Sequence, residues 1–234
     1  MNDFKQKFIK GYNSNLPQLI NKNLVADVET PISSLLKISK NQKYSFLLES
    51  VEGGSKRGRY SLLGCDPDLI WSVEKGEAKI RYLGINYNYK FNNDPLKSLK
   101  ELINVSKFKK TLQEVPYPTL VGYLGYPMIQ YMENIKLKNK DNIKIPDAIL
   151  IRPKIVAVFD NIKDDISLMS VSYPCKTISA EKAFKDSTSL LSKTIKKLEK
   201  SILNSSEKKI KKTKLNFKSN FKKEEFFKIV KKAK

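Results

Sequence analysis

Two apolar stretches, "AILIRPKIVAVFD" at 148–160 and "DISLMSVSY" at 165–173, are separated only by the turn Asn161 to Asp164. So short a connection joins strands as an antiparallel hairpin, because a parallel pair requires a crossover of a dozen or more residues. The same logic recurs along the chain. "YSFLLES" and "RYSLLG" flank a glycine-rich loop. Leu69 to Val73 and Ala78 to Leu83 read as strands turning at Lys75-Gly76. "INYNYKF" alternates as a half-buried strand, and "TLVGYLGY" adds another, with Gly122 and Gly125 permitting a close backbone approach or a bulge. Helical signals are fewer. "ETPISSLLKIS" has Thr30 as cap, Pro31 in its first turn, and Leu35, Leu36 and Ser39 on one face. "NDPLKSLKELINVS" is capped by Asn93 or Asp94, with Leu96, Leu99, Leu102 and Ile103 at helical spacing. A long amphipathic helix is expected from Ser179 to about Asn204. The pattern is that of an α+β domain, antiparallel β-sheets with flanking helices, rather than a doubly wound parallel sheet.

Residues 204–218 are polar, charged and aperiodic, which suits a linker. "SNFKKEEFFKIVKKAK" then begins a new helix, with Ser219 or Asn220 as its cap. The expected organisation is a domain over 1–203, a linker over 204–218, and the first helix of a second domain over 219–234.

Composition narrows the function classes. The formal net charge of +21 invites a nucleic-acid reading. Yet the only arginines among the 45 basic residues are Arg57, Arg59, Arg81 and Arg152. Arginine is the usual reader of bases and bidentate binder of phosphate, so the lysine excess reads as solvated faces and no nucleic-acid partner is expected. No run of about 18 apolar residues is present, so no membrane span is expected. The charged start "MNDFKQKFIKGY" lacks the apolar centre of a signal peptide. Cys65 and Cys175 fall outside any CxxC spacing. The expectation is a cytoplasmic protein with reduced cysteines and no metal role for them.

The one stretch asking for a chemical explanation is "FLLESVEGGSKRGRYSLLG" at 46–64. Gly53 and Gly58 have the spacing of a P-loop, but Arg59 and Tyr60 stand where Lys and Ser or Thr are required, and the next segment is a strand. A plain hairpin explains the loop. It leaves Glu49 and Ser50, at the end of an apolar strand facing Arg59 and Ser61, without a reason. If buried, the carboxylate requires a cation. That cation is either a local side chain or part of a ligand, such as the ammonium of an amino acid with Ser50 adding a hydroxyl. With no histidine in the chain, there is no Ser-His-Asp triad, Cys-His pair or imidazole base.

"FLLESVEGGSKRGRYSLLGCDPDLIW" resembles the N-terminal region of anthranilate synthase component I, where an "LLES" strand, a glycine-rich loop and "RYS-x-x-G-x-x-P" follow in this order. "YPTLVGYLGYPMIQYMENI", "IPDAILIRPKIVAVFD" and "SNFKKEEFFKIVKKAK" resemble later segments of that family, the last being the start of its chorismate-binding domain. Pro127 departs from the aspartate more usual there. The resemblance implies an enzyme that converts chorismate and ammonia to anthranilate and pyruvate with Mg2+, the first step of tryptophan biosynthesis. Its ammonia comes from a glutamine amidotransferase subunit, anthranilate synthase component II. It places the catalytic and Mg2+-binding residues in a C-terminal domain, so that this segment carries none and is inactive alone. It places feedback inhibition by L-tryptophan at the "LLES" strand, which carries over to Leu48, Glu49 and Ser50, faced by Arg59, Tyr60 and Ser61. The alternatives are a fragment of aminodeoxychorismate synthase component I, which shares the layout, or a non-catalytic tryptophan- or RNA-binding protein.

Overall fold

The structure, a computed structural model, describes residues 2–40, 42–51, 57–87, 89–108, 117–135, 137, 144–201, 219 and 221–234. The chain divides into two units, Met1–Ile202 and Leu203–Lys234.

The first unit is built on one seven-stranded antiparallel sheet. In chain order its strands are β1 (Gln18–Val25), β2 (Ser45–Val51), β3 (Arg57–Glu74), β4 (Glu77–Tyr82), β5 (Val121–Leu124), β6 (Ala148–Asp160) and β7 (Asp165–Ser172). The spatial order is β1-β7-β6-β3-β2, with β4 added to β3 and β5 added to β6. The helices are α1 (Asn2–Asn13), α2 (Pro31–Ile38), α3 (Pro95–Ser106), α4 (Ile129–Met132) and α5 (Ala180–Leu198). This is the α+β, antiparallel class read from the sequence. The β6–β7 hairpin and the turn at Lys75 and Gly76, both at positive φ, fall where expected. Gly122 is required by a close approach: a Cβ there would collide with the Ile149 carbonyl of β6.

The largest departure from expectation is β3. "RYSLLG" and "DLIWSV" are one strand of 18 residues, not two. Its ladder with β6 runs through the pair Pro67–Pro153 and shifts register between Pro67 and Leu69. Two prolines can face each other only at a non-hydrogen-bonded position, so the N–H groups they lack are ones that would have served outer neighbours. Both long strands change outer neighbours at this node. Ahead of it β3 pairs with β2 and beyond it with β4. β6 pairs first with β5 and then with β7. Tyr117 Oη donates to the Pro153 carbonyl at 3.1 Å, occupying an acceptor the ladder leaves open.

Ion pairs flank the node. Lys154 Nζ lies 3.1 Å from Asp66, which adopts φ +52°. Arg152 and Asp68 are fully buried. The guanidinium donates twice to the carboxylate, Nε to Oδ1 at 2.8 Å and Nη2 to Oδ2 at 2.9 Å, and Nη1 donates to Ser106 Oγ at 3.4 Å. The Tyr87 phenol donates to Asp68 Oδ2 at 2.6 Å. The rings of Tyr173 and Tyr87 lie 3.6 and 4.8 Å from the guanidinium carbon. Burial, then the Asp68 charge, pushes the Tyr87 phenol far above its ordinary value, so it stays a donor.

Alternation along the strands builds a core on each face. Leu63, Cys65, Ala157, Phe159 and Leu168 meet α1, α2 and α5. Around the sheet's other end Leu69, Trp71, Val73 and Ala148 meet Leu102 of α3 and Met128. Trp71 Nε1 donates to Ser98 Oγ at 3.1 Å, tying α3 to β3. Two helices cap each other: Lys37 of α2 donates to the Leu198 carbonyl at 2.8 Å, and Lys197 of α5 donates to the Ile38 carbonyl at 3.3 Å. Each cation meets the negative end of the neighbouring helix. Lys37 is held by Glu29 as well.

Several expectations are corrected. α1 and β1 carried too little periodic signal to be assigned: in α1 only Phe8 and Tyr12 are buried apolar residues, one turn apart among charges. "INYNYKF" is not a strand; Tyr87 is buried, but the segment joins no ladder. α2 turns Ser34 and Ile38 inward and leaves Leu36 in solvent. Asp94, rather than Asn93, caps α3. α5 ends at Leu198, not near Asn204. The linker at 204–218 lies outside the described residues. In the second unit, α6 (Lys223–Ala233) is capped at Lys222, whose N–H donates to Glu225 at 3.1 Å, and not at Ser219. No described helix is long and apolar enough to cross a membrane. Cys65 and Cys175 are free and buried, and burial pushes the Cys65 thiol up to about 12, leaving it protonated and unreactive.

Asp68→Ala is expected to lower the unfolding free energy by about 3–5 kcal/mol, since it leaves the Arg152 charge buried and unpaired. Tyr87→Phe is expected to cost about 1–3 kcal/mol. The double variant Asp68→Leu, Arg152→Met should cost far less than the sum of its single changes. Urea unfolding of Asp68→Ala, Tyr87→Phe, the double variant and its two single changes checks this, and simple additivity would show that the pair does not act as a unit.

Candidate functional site

The candidate site lies at the end of β2, the terminal strand of the sheet path. β2 pairs with β3 in the register Leu47 to Leu63, Leu48 to Leu62 and Glu49 to Ser61, then shifts before Val51 meets Arg57. Successive strand residues point to opposite faces. The six residues taken from the sequence are therefore divided. Glu49 and Ser61 share the face of Leu47 and Leu63, which α1, α2 and α5 cover. Leu48 and Tyr60 share the other face, where Tyr60 and Leu62 pack with Val156, Val158 and Met169. Ser50 lies against Gly58, and any Cβ at Gly58 would collide with its side chain. Glycine at 58 is thus a steric requirement of the hairpin. The loop glycines Gly53 and Gly54 lie outside the described residues.

Burial revises the sequence argument. Ser61 is buried, but Leu48, Glu49 and Ser50 are exposed, so Glu49 is not a buried carboxylate in need of a partner. Arg59 does not serve it. The Arg59 guanidinium reaches Asp160, with Nη2 2.9 Å and Nε 3.2 Å from Oδ2, and lies over the Tyr60 ring at 4.8 Å. Asp160 Oδ1 also accepts from the Ile162 and Lys163 N–H groups at 3.1 and 3.3 Å, closing the β6–β7 turn. Asn161 completes the junction: its Nδ2 donates to the Gly58 carbonyl and its N–H to the Arg59 carbonyl, both at 2.8 Å. The Arg59 bond holds the Asp160 carboxyl below its ordinary value, ahead of the opposing cost of burial. Sequence reasoning missed Asp160 and Asn161; a carboxylate ending an apolar strand was the available signal.

The polar strand end therefore has two parts with different chemistry. Arg59, Asp160 and Asn161 form a self-satisfied junction between hairpins. Glu49 and Ser50 offer a carboxylate and a hydroxyl on an open sheet edge, and no described side chain bonds to Glu49. β3 starts as a strand at Arg57, so no helix N-terminus follows the glycine-rich loop and the P-loop reading fails. Among the described residues no three of Cys, Asp and Glu lie close enough to share a metal ion.

A family model described as chorismate binding enzyme matches residues 46–234, starting in β2 itself. The chain belongs to the chorismate-binding enzyme family. It is 34% identical to anthranilate synthase component 1 of Cereibacter sphaeroides over 188 residues, 76% of this chain and 37% of that protein. It is 34% identical to the Aquifex aeolicus protein of the same name over 223 residues, 90% of this chain and 42% of that one. Its fold is similar to the crystal structure of anthranilate synthase component I from Streptococcus pneumoniae TIGR4, with a TM-score of 0.53, 20% identity, and coverage of 90% of this chain and 44% of that one. The chain spans less than half the length of the curated relatives it matches.

Because the folded Asp160 carboxyl titrates below its unfolded value, near 3.8, its bond with Arg59 stabilises the fold fully above about pH 4. That contribution is lost as pH falls through the lowered folded value. Melting temperatures from pH 7 to pH 2 are expected to show Asp160→Asn less stable than the unsubstituted chain at neutral pH, with the gap narrowing below about pH 4. A gap constant across that range would refute the linkage.

Proposed function

We propose that this chain is the N-terminal part of an anthranilate synthase component I, and that the β2 edge is a feedback site for L-tryptophan. The observation that carries the site is the exposed Glu49, without a side-chain partner among the described residues, beside Ser50, together with the diversion of Arg59 to Asp160. An edge strand is where one ligand can reach side chains of both faces. The carboxylate of Glu49 receives the ammonium group of an amino acid, Ser50 adds a hydroxyl, and Leu48 gives apolar surface to a ring, while Tyr60, on the inner strand β3, backs Leu48's face from within. Ser61, buried beneath Glu49, fixes the strand pairing rather than contacting the ligand first.

The order of the "LLES", "RYS", "RP" and "FD" segments and the similarity to proteins named anthranilate synthase component 1 support the reaction: chorismate and ammonia to anthranilate and pyruvate, a lyase step in the cytoplasm. Residues 1–203 form the tryptophan-binding domain, 204–218 a linker, and 219–234 the first helix of the chorismate-binding domain. Catalysis and Mg2+ binding belong to that second domain. The described side chains here do not fit a Mg2+ site. Ammonia is supplied by a glutamine amidotransferase partner, component II.

In the full-length polypeptide, Ser50→Phe is expected to abolish tryptophan inhibition with turnover nearly unchanged. Glu49→Gln should raise the inhibitory concentration by about 10- to 100-fold, the range of one charge-assisted hydrogen bond. Unchanged inhibition in both variants would refute the site. The 234-residue chain, given chorismate, ammonia and Mg2+, should produce no anthranilate fluorescence above background; turnover would refute the placement of catalysis elsewhere.

A further inference from the structure

Away from the β2 edge, a half-open cavity of about 330 Å3 lies between α5, the end of β7 and the segment around Ile85. That is the size of sites that enclose small organic ligands. Its walls are apolar and aromatic, with Tyr12, Ile85, Tyr173, Ile178 and Leu190 among them, and Lys154, Asp186 and Lys193 add charge.

Most of its polar groups are already engaged. Lys154 pairs with Asp66 at 3.1 Å. Asp186 accepts from Lys182, one turn earlier on α5, at 2.8 Å. The Ser172 and Ser187 hydroxyls share a hydrogen bond at 2.6 Å, and Tyr87 donates to Asp68. The Lys193 ammonium, the Tyr12 hydroxyl and the exposed Ser189 hydroxyl remain. Lys193 has no ionic or hydrogen-bond partner among the described residues. The Tyr12 hydroxyl accepts from the Cys175 N–H at 3.1 Å, and no described acceptor takes its own proton. The Tyr173 hydroxyl is buried and faces the Tyr117 phenol rather than standing free.

One uncompensated cation and one phenolic donor, set in aromatic walls, complement a ligand with a flat apolar body and a single negative charge. A phosphate monoester would bring a second charge with no cation left to meet it. We propose that this cavity binds a small aromatic monocarboxylate, with its ring against Tyr12, Tyr173 and Leu190 and its carboxylate at Lys193. The site is separate from the β2 edge and does not depend on the reading of that edge.

The test titrates the 15N-labelled chain with benzoate and follows backbone amide shifts. Saturable shifts are expected at Ser172 and from Ser187 to Lys193, with none from Leu48 to Val51. Lys193→Gln, a change at an exposed position, should weaken benzoate binding at least tenfold, and Lys185→Gln, on the same helix outside the cavity, should leave it unchanged. Benzamide, the neutral isostere, should bind at least tenfold more weakly than benzoate. Absence of saturable shifts on α5, equal binding by Lys193→Gln, or equal binding of benzamide would each overturn the proposal. Shifts confined to β2 would do the same, and would favour the edge as the only carboxylate site.

Discussion

Two opposed prolines determine how the sheet is laid out. Pro67 and Pro153 meet across the β3–β6 ladder, and with no N–H on either one neither can bond an outer neighbour, so both strands change outer neighbours there. The sheet is therefore two half-sheets sharing two long strands, each half with its own outer neighbours and its own core. Asp68 and Arg152 are the residues just beyond the prolines. Their bidentate contact adds a side-chain link between the strands at the register shift. A buried ion pair is weak evidence of net stability. Its geometry, with Tyr87, Ser106 and Tyr173 all oriented toward the guanidinium, specifies which segments meet there.

The half-sheet ahead of the node carries the candidate site, and its construction separates binding from scaffolding. Arg59, Asp160 and Asn161 bond the start of β3 to the β6–β7 turn. With that junction satisfied internally, the β2 strand end need not supply a counter-ion, and Glu49 stays in solvent. The glycine at 58 lets Ser50 lie close against β3. What looked in the sequence like one polar cluster is a scaffold joint next to an open edge.

The patterns that were legible are local ones. The strand pairs around Asn161–Asp164 and Lys75-Gly76, the Thr30 cap, and the start and core stripe of α5 all rest on residues within a turn or a hairpin of one another. The ordered segments of the chorismate-binding family were legible for the same reason, since each is a contiguous string. The elements that escaped were sparse in signal: α1 shows two buried aromatics among charges, and the alternation of "INYNYKF" serves a buried tyrosine network rather than a ladder.

The sequence by itself determined the antiparallel class, the family, and the presence of a carboxylate and a hydroxyl at the end of an apolar strand. Only the tertiary structure decided the partners. Arg59 chose Asp160 over Glu49, and Arg152 chose Asp68, across separations of 101 and 84 residues. Side-chain charges do not encode which long-range mate they will meet. That is set by strand register and by burial, which leaves Asp68 no solvent alternative to Arg152 while leaving Glu49 free in water.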